Sequence, residues 1–118
     1  MSNSLDKFGR VFIEETRDRS IRLFDKRIHG LMKDEESQKL FGKVNSLSDD
    51  AQDVIKEIIP DVVDLCLHNM LNLFEENEDL QIIVDGENLN DMSDGLAGEL
   101  YTSDGWIHRF SNERHREQ

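Results

Sequence analysis

Three Asp-Gly pairs, Asp85-Gly86, Asp94-Gly95 and Asp104-Gly105, fall within residues 85–105, in the most acidic part of the chain. Carboxylates beside glycine suggest a calcium loop. An EF-hand needs oxygen ligands at its first, third and fifth positions, glycine at the sixth and glutamate at the twelfth. A frame begun at Asn88 supplies Asn90 and a closing Glu99, but places Met92 fifth and Ser93 sixth. A frame begun at Asp85 places Leu89 fifth. Neither serves, and Asp-Gly is also a tight-turn dipeptide, because glycine takes positive φ and aspartate bonds to its own turn. Turns are the expectation, with no metal and no cofactor.

His68 offers a second possibility. Asp64 lies one helical turn before it and Asn72 one turn after, so the three share a face. Asp64 should raise the imidazole pKa if the pair meets. A metal site needs further ligands, and a general base needs a nucleophile or substrate pocket. His29, His108 and His115 are dispersed, and HExxH, a cysteine pair, G-x-S-x-G, a phosphate loop and a dinucleotide fingerprint are all missing. A solvated or salt-bridged His68 is expected. Cys66 sits in an apolar arc, where a buried thiol is poorly ionised and inert. The chain reads as no enzyme.

Charge is more informative. From Glu57 to His108 there are thirteen carboxylates and no lysine or arginine, whereas the first 56 residues carry eleven acids and eleven bases. The last ten hold three arginines and two glutamates, which completes the net charge of −12. A one-sign block costs self-repulsion, so it points to a basic partner, a cation or a strongly solvated surface. It disfavours direct binding of nucleic acid. Glu76, Asp79, Asp85, Glu87, Asp91, Asp94 and Asp104 form the candidate surface. Trp106, the only tryptophan, has two readings: a cover for the core edge, or an aromatic anchor toward a Lys- or Arg-rich partner. The second adds it to the candidate surface.

These residues need a scaffold. A chain of 118 residues suffices for one domain, 1–118, with its own core. Helices are expected over 4–30, 35–45 and 48–76. In the first, Ser4 caps, Leu5, Phe8, Val11 and Phe12 form one stripe, and Ile21, Phe24, Ile28 and Leu31 form another roughly opposite. One helix meeting different neighbours at its two ends accounts for both, and Gly30 stops it. Ser48 begins the third, where Pro60 marks a kink or a fresh start. Val62 to Phe74 is apolar around well over half its circumference, which predicts the centre of the core.

Beyond Asp79 the pattern turns to strands, at 80–84, 98–102 and 106–110, the last two joined as a hairpin through Ser103-Asp104-Gly105. The fold class is α+β, a mainly helical bundle with a small C-terminal antiparallel sheet or hairpin. A lone cysteine fits a reducing compartment, and no stretch has membrane-spanning length, so a cytoplasmic protein with no membrane partner is expected. In size and charge the chain is similar to bacterial immunity proteins and nuclease inhibitors, a likeness that carries no motif and transfers no residue. The functional expectation is a non-enzymatic, inhibitor- or immunity-like module that docks a basic protein through its C-terminal half. The alternatives are a structural or regulatory subunit whose acidic face is only solvated and whose partner docks on the helices, and a cation-dependent enzyme.

Overall fold

The computed structural model describes residues 3–115; Met1, Ser2 and Arg116–Gln118, with the tail charges Arg116 and Glu117, lie outside the described residues. The protein is mainly helical with one two-stranded antiparallel sheet. Helix α1, Ser4–Phe12, passes through a π-helical segment, Ile13–Asp18, into α2, Arg19–Ile28. Its cap is Asn3, whose Oδ1 accepts from Asp6 N at 2.8 Å. Ser4, expected there, is instead buried and donates to Glu87 Oε1. The cap has moved one residue because an amide oxygen at position 3 already meets the exposed amide.

The wider i→i+5 turns of the π segment slip the inward stripe around the axis and turn the adjacent Arg17 and Asp18 both inward. Residues Leu5, Phe12 and Ile13 therefore join one apolar cluster, while Ile21 and Ile28 join another. Gly30 follows at φ +79°, the left-handed stop that glycine allows, with the Phe41 ring packed where a side chain would stand.

Helix α3, Glu35–Asn45, is capped by Asp34, and α4, Asp49–Glu76, by Ser48. Pro60 does not break α4. A proline leaves the carbonyl four residues before it without a helical donor. That carbonyl is Lys56 O, and Arg114 Nε donates to it at 3.0 Å while its two terminal nitrogens clamp Asp25 at 2.7 and 3.0 Å. The C-terminal segment thus satisfies the defect and ties α2 to α4.

The sheet is smaller than expected. Strand β1, Ile83–Val84, pairs with β2, Glu87–Asn88, in the register Ile83↔Asn88 and Val84↔Glu87. Asp85 and Gly86, at φ 52° and 82°, make the two-residue loop that matches strand twist. Short 3-10 turns follow at Leu89–Asp91 and Ala97–Leu100, then helix α5, Trp106–Phe110. The expected strands 98–102 and 106–110 are therefore wrong. Packing overrides their β-propensity: Leu96, Ala97, Leu100, Trp106 and Ile107 all enter the first cluster beside Leu67 and Leu71. The turn between them closes through Gly105 N to Thr102 O, and Tyr101 O lies where a side chain on Gly105 would stand.

A second correction concerns α4. Its buried residues are Ile59, Pro60, Leu67 and Leu71, with Val63 partly buried between the two clusters. Val62, Leu65, Met70 and Leu73 are 45–59% exposed, and Cys66 is exposed rather than packed. The helix supports both clusters, but with one side only.

Candidate binding surface

Glu76 closes α4 and Asp79 follows it; Asp91 lies in the first 3-10 turn and Asp94 in the loop after it, all exposed. Among the described residues no ion pair engages any of these four. Asp85 pairs with Lys7 Nζ at 2.9 Å and Glu87 takes the Ser4 bond, so the β-turn carboxylates lie against the start of α1. Asp104, also exposed, precedes α5. Arg109 feels its charge, although the bond to Asp6, at 2.8 Å, contributes most to raising the guanidinium pKa.

Glu75, Asp94 and Glu99 line a surface depression of about 490 Å³. It is a braced loop: Glu75 Oε1 accepts from Ala97 N, Ser93 Oγ donates to Glu99 Oε2 at 2.6 Å, and Gly95 N donates to Ser93 Oγ. Among the described residues no three His, Cys, Asp or Glu side chains converge as metal ligands.

Trp106 is fully buried, edge-on to Phe8 and Phe12 at 5.8 and 6.4 Å, with its indole directly over Gly9. It builds the core and is not available as an anchor.

Asp64 and His68 turn to different partners. Asp64 holds the fully buried Arg17 from Oδ1 to Nε at 2.6 Å and from Oδ2 to Nη2 at 3.3 Å. Arg17 Nη1 reaches Ser111 Oγ at 2.9 Å and lies 3.5 Å from Asp18, while Nη2 also donates to Arg114 O. Buried Asp18 accepts from Ser111 Oγ and Asn112 N. Every guanidinium nitrogen is thus engaged, as a buried arginine requires.

His68 Nδ1 shares a hydrogen bond of 2.9 Å with Tyr101 OH. Burial, and secondarily the Asp64 charge, push the phenol pKa up, so Tyr101 stays neutral. Tyr101 borders a cleft of about 280 Å³ lined also by Asp61, Leu65, Thr102, His108 and His115, whereas His68 lies outside that lining. A neutral phenol and an imidazole can relay a proton; the cysteine that could act as nucleophile, Cys66, is outside the lining.

The outward side of α4 is the surface that sequence reasoning missed. Val54, Ile58, Val62, Leu65 and Leu73 fall at helical spacing on one face, with exposed Asn69 the polar member of the row. The available signal was the excess of apolar residues over what one buried face can hold. Toward α2 the row opens into a groove of about 330 Å³ lined by Phe24, Ile55, Ile59, Val63 and Ser20. Among the described residues no helix is long and apolar enough to cross a membrane. Compared with protein-family models, curated proteins and solved structures, the chain matches none.

Proposed function

We propose that this is a non-enzymatic protein-binding module that docks a basic protein surface through the acidic region after α4. The observation that carries this reading is the exposure of Glu76, Asp79, Asp91 and Asp94 with no cation among the described residues paired to them. Unpaired carboxylates raise a negative potential felt over about 8 Å at physiological salt. Complementary charge of this kind speeds encounter and selects partners by sign. An inhibitor- or immunity-type role suits such a surface, and an exposed lone thiol at Cys66 suits a reducing cytoplasm.

Immobilised protein would be exposed to extract from its source cells at low salt and developed with a salt gradient. A basic protein should be retained by the wild type, released as salt rises, and lost from the Glu76→Lys/Asp79→Lys double variant. With that protein in hand, association measured by stopped flow should slow as ionic strength rises. Retention indifferent to salt and to both reversals would defeat the reading.

The second reading places the partner on the helices. It is favoured by the apolar row on α4, which a merely solvated acidic protein has no reason to display.

A further inference from the structure

We infer that the outward face of α4 is the seat of an amphipathic helix from a different protein, one whose apolar stripe is flanked by lysine or arginine. The inference rests on the basic-partner reading and names the element by which that partner binds.

The face has the dimensions of a helix seam. Val54, Ile58, Val62, Leu65, Asn69 and Leu73 are separated by four, four, three, four and four residues, the spacing by which one helix meets another. At the usual helical rise the row is about 28 Å long. Its apolar members are 47–59% exposed. Single exposed apolar side chains need no explanation, but a contiguous row marks an interaction site. The groove beside Phe24 and Ile59 gives the seam a concave edge into which a large side chain of the visitor fits, the helix-in-groove mode of recognition. Asn69 supplies the polar position that fixes register in such seams.

Charge selects among occupants. Helix α4 carries eight carboxylates and one basic residue, Lys56. Exposed Asp50, Asp53 and Glu57 accompany the first half of the row, and Glu75, Glu76 and Asp79 stand where it ends. A second copy packing its own α4 here would set these acids against their counterparts, which interfaces avoid. A helix with lysine or arginine flanks removes that repulsion, and the acidic block after α4 extends the same field past the end of the row.

The probe is a synthetic 21-residue peptide with leucine at the seam positions and lysine beside them. Its controls are a glutamate-flanked twin and a scrambled peptide of identical composition. Amide shifts of the full chain would be followed by NMR. The lysine peptide should give saturable shifts along 54–73 and at Phe24, with the twin and the scramble at least tenfold weaker. Val62→Gln/Leu65→Gln should lose at least tenfold in affinity while melting as the wild type does; Leu73→Gln alone serves if the double variant melts differently. Shifts confined to 75–104, or equal binding of the scramble, would overturn the helix seat and leave the basic-partner reading intact. Absence of salt-dependent binding by either lysine peptide would overturn both. A concentration-dependent dimer in sedimentation, abolished by Val62→Gln/Leu65→Gln, would assign the face to a second copy and overturn the inference.

Discussion

Arg17 and Leu65 occupy each other's customary places. The arginine is fully buried, and the leucine, on the neighbouring helix, is 59% exposed. Burying a guanidinium costs several kcal/mol before its partners recover the loss. Arg17 recovers it through Asp64, Asp18, Ser111 and the Arg114 carbonyl, which lie on three separate stretches of chain. The interior charge is therefore a fastener between α4, the π segment and the C-terminal segment. Leu65 has no such internal role. The contrast separates residues that hold the fold from residues that the fold holds out.

The largest effect should come from breaking the fastener. Arg17→Met fills much of the space but leaves Asp18 buried without its cation, and removal of one partner of a buried pair costs about 3–5 kcal/mol. Urea unfolding should show that loss with an unchanged slope. If Arg17→Met proved neutral, the buried charge would be no fastener.

Leu71 is the buried counterpart of Leu65 on α4. Leu71→Ala should cost about 2–5 kcal/mol through lost burial and the cavity left behind. Gly9→Ala comes next. Alanine is the better helix former by about 1 kcal/mol, yet its Cβ would lie 2.5 Å from the Trp106 ring. The indole is wedged between Phe8 and Phe12, so overpacking should win by about 1–3 kcal/mol net. A Gly9→Ala protein that melts higher than wild type would show that Trp106 has room to move.

Periodicity exposed much of this in the sequence, and tertiary contact hid the rest. Most of the two stripes of the first helix is legible because each contains its own apolar spacing, although Val11 and Leu31, assigned to them, are 49% and 64% exposed. Gly30, Ser48 and Asp85-Gly86 announce their stops and turns through local chemistry. Residues 98–110 are not legible in that way. Their aromatic content suggests strand, but Trp106 needs the bare backbone of Gly9, almost a hundred residues away, and a helix is what delivers it there. The acids of the candidate surface are legible as exposed; the loss of Asp64 to Arg17 is not, since the π segment that turns Arg17 inward has no sequence signature. Of the two readings of Trp106 the core one holds; the outward row of α4 is where the sequence misleads. An apolar excess looks like core from sequence whether the fold covers it or not.

A smaller effect separates exposed ion pairing from the buried kind. The Arg109 hydrogen bond holds the Asp6 carboxyl below its ordinary value of 3.8. A lowered folded pKa gives stability that is present above the unfolded value and lost as pH falls through the folded one. Asp6→Asn should therefore flatten part of the acid limb below about pH 4. Both side chains are partly exposed, so the pair should contribute no more than about 0.5 kcal/mol near neutrality, and less in high salt. Thermal melts at several pH values with and without 1 M salt would measure it. A salt-independent difference would place this pair in the same class as Arg17–Asp64.

The smallest effect on stability should be at Leu65 itself. Because its side chain is more than half exposed, Leu65→Gln gives up little burial and leaves no cavity, and surface changes of that kind fall within about ±0.5 kcal/mol. Leu71→Ala on the same helix then becomes the internal standard: two leucines six residues apart, one indispensable and one indifferent to folding. Denaturant midpoints for the two variants, measured at a concentration low enough to exclude self-association, give the ratio directly. If Leu65→Gln lost as much as Leu71→Ala, the outward face would be carrying the fold after all. If it lost nothing, the apolar row would be maintained at a cost in solubility that folding does not require, which is the condition under which a binding partner explains it.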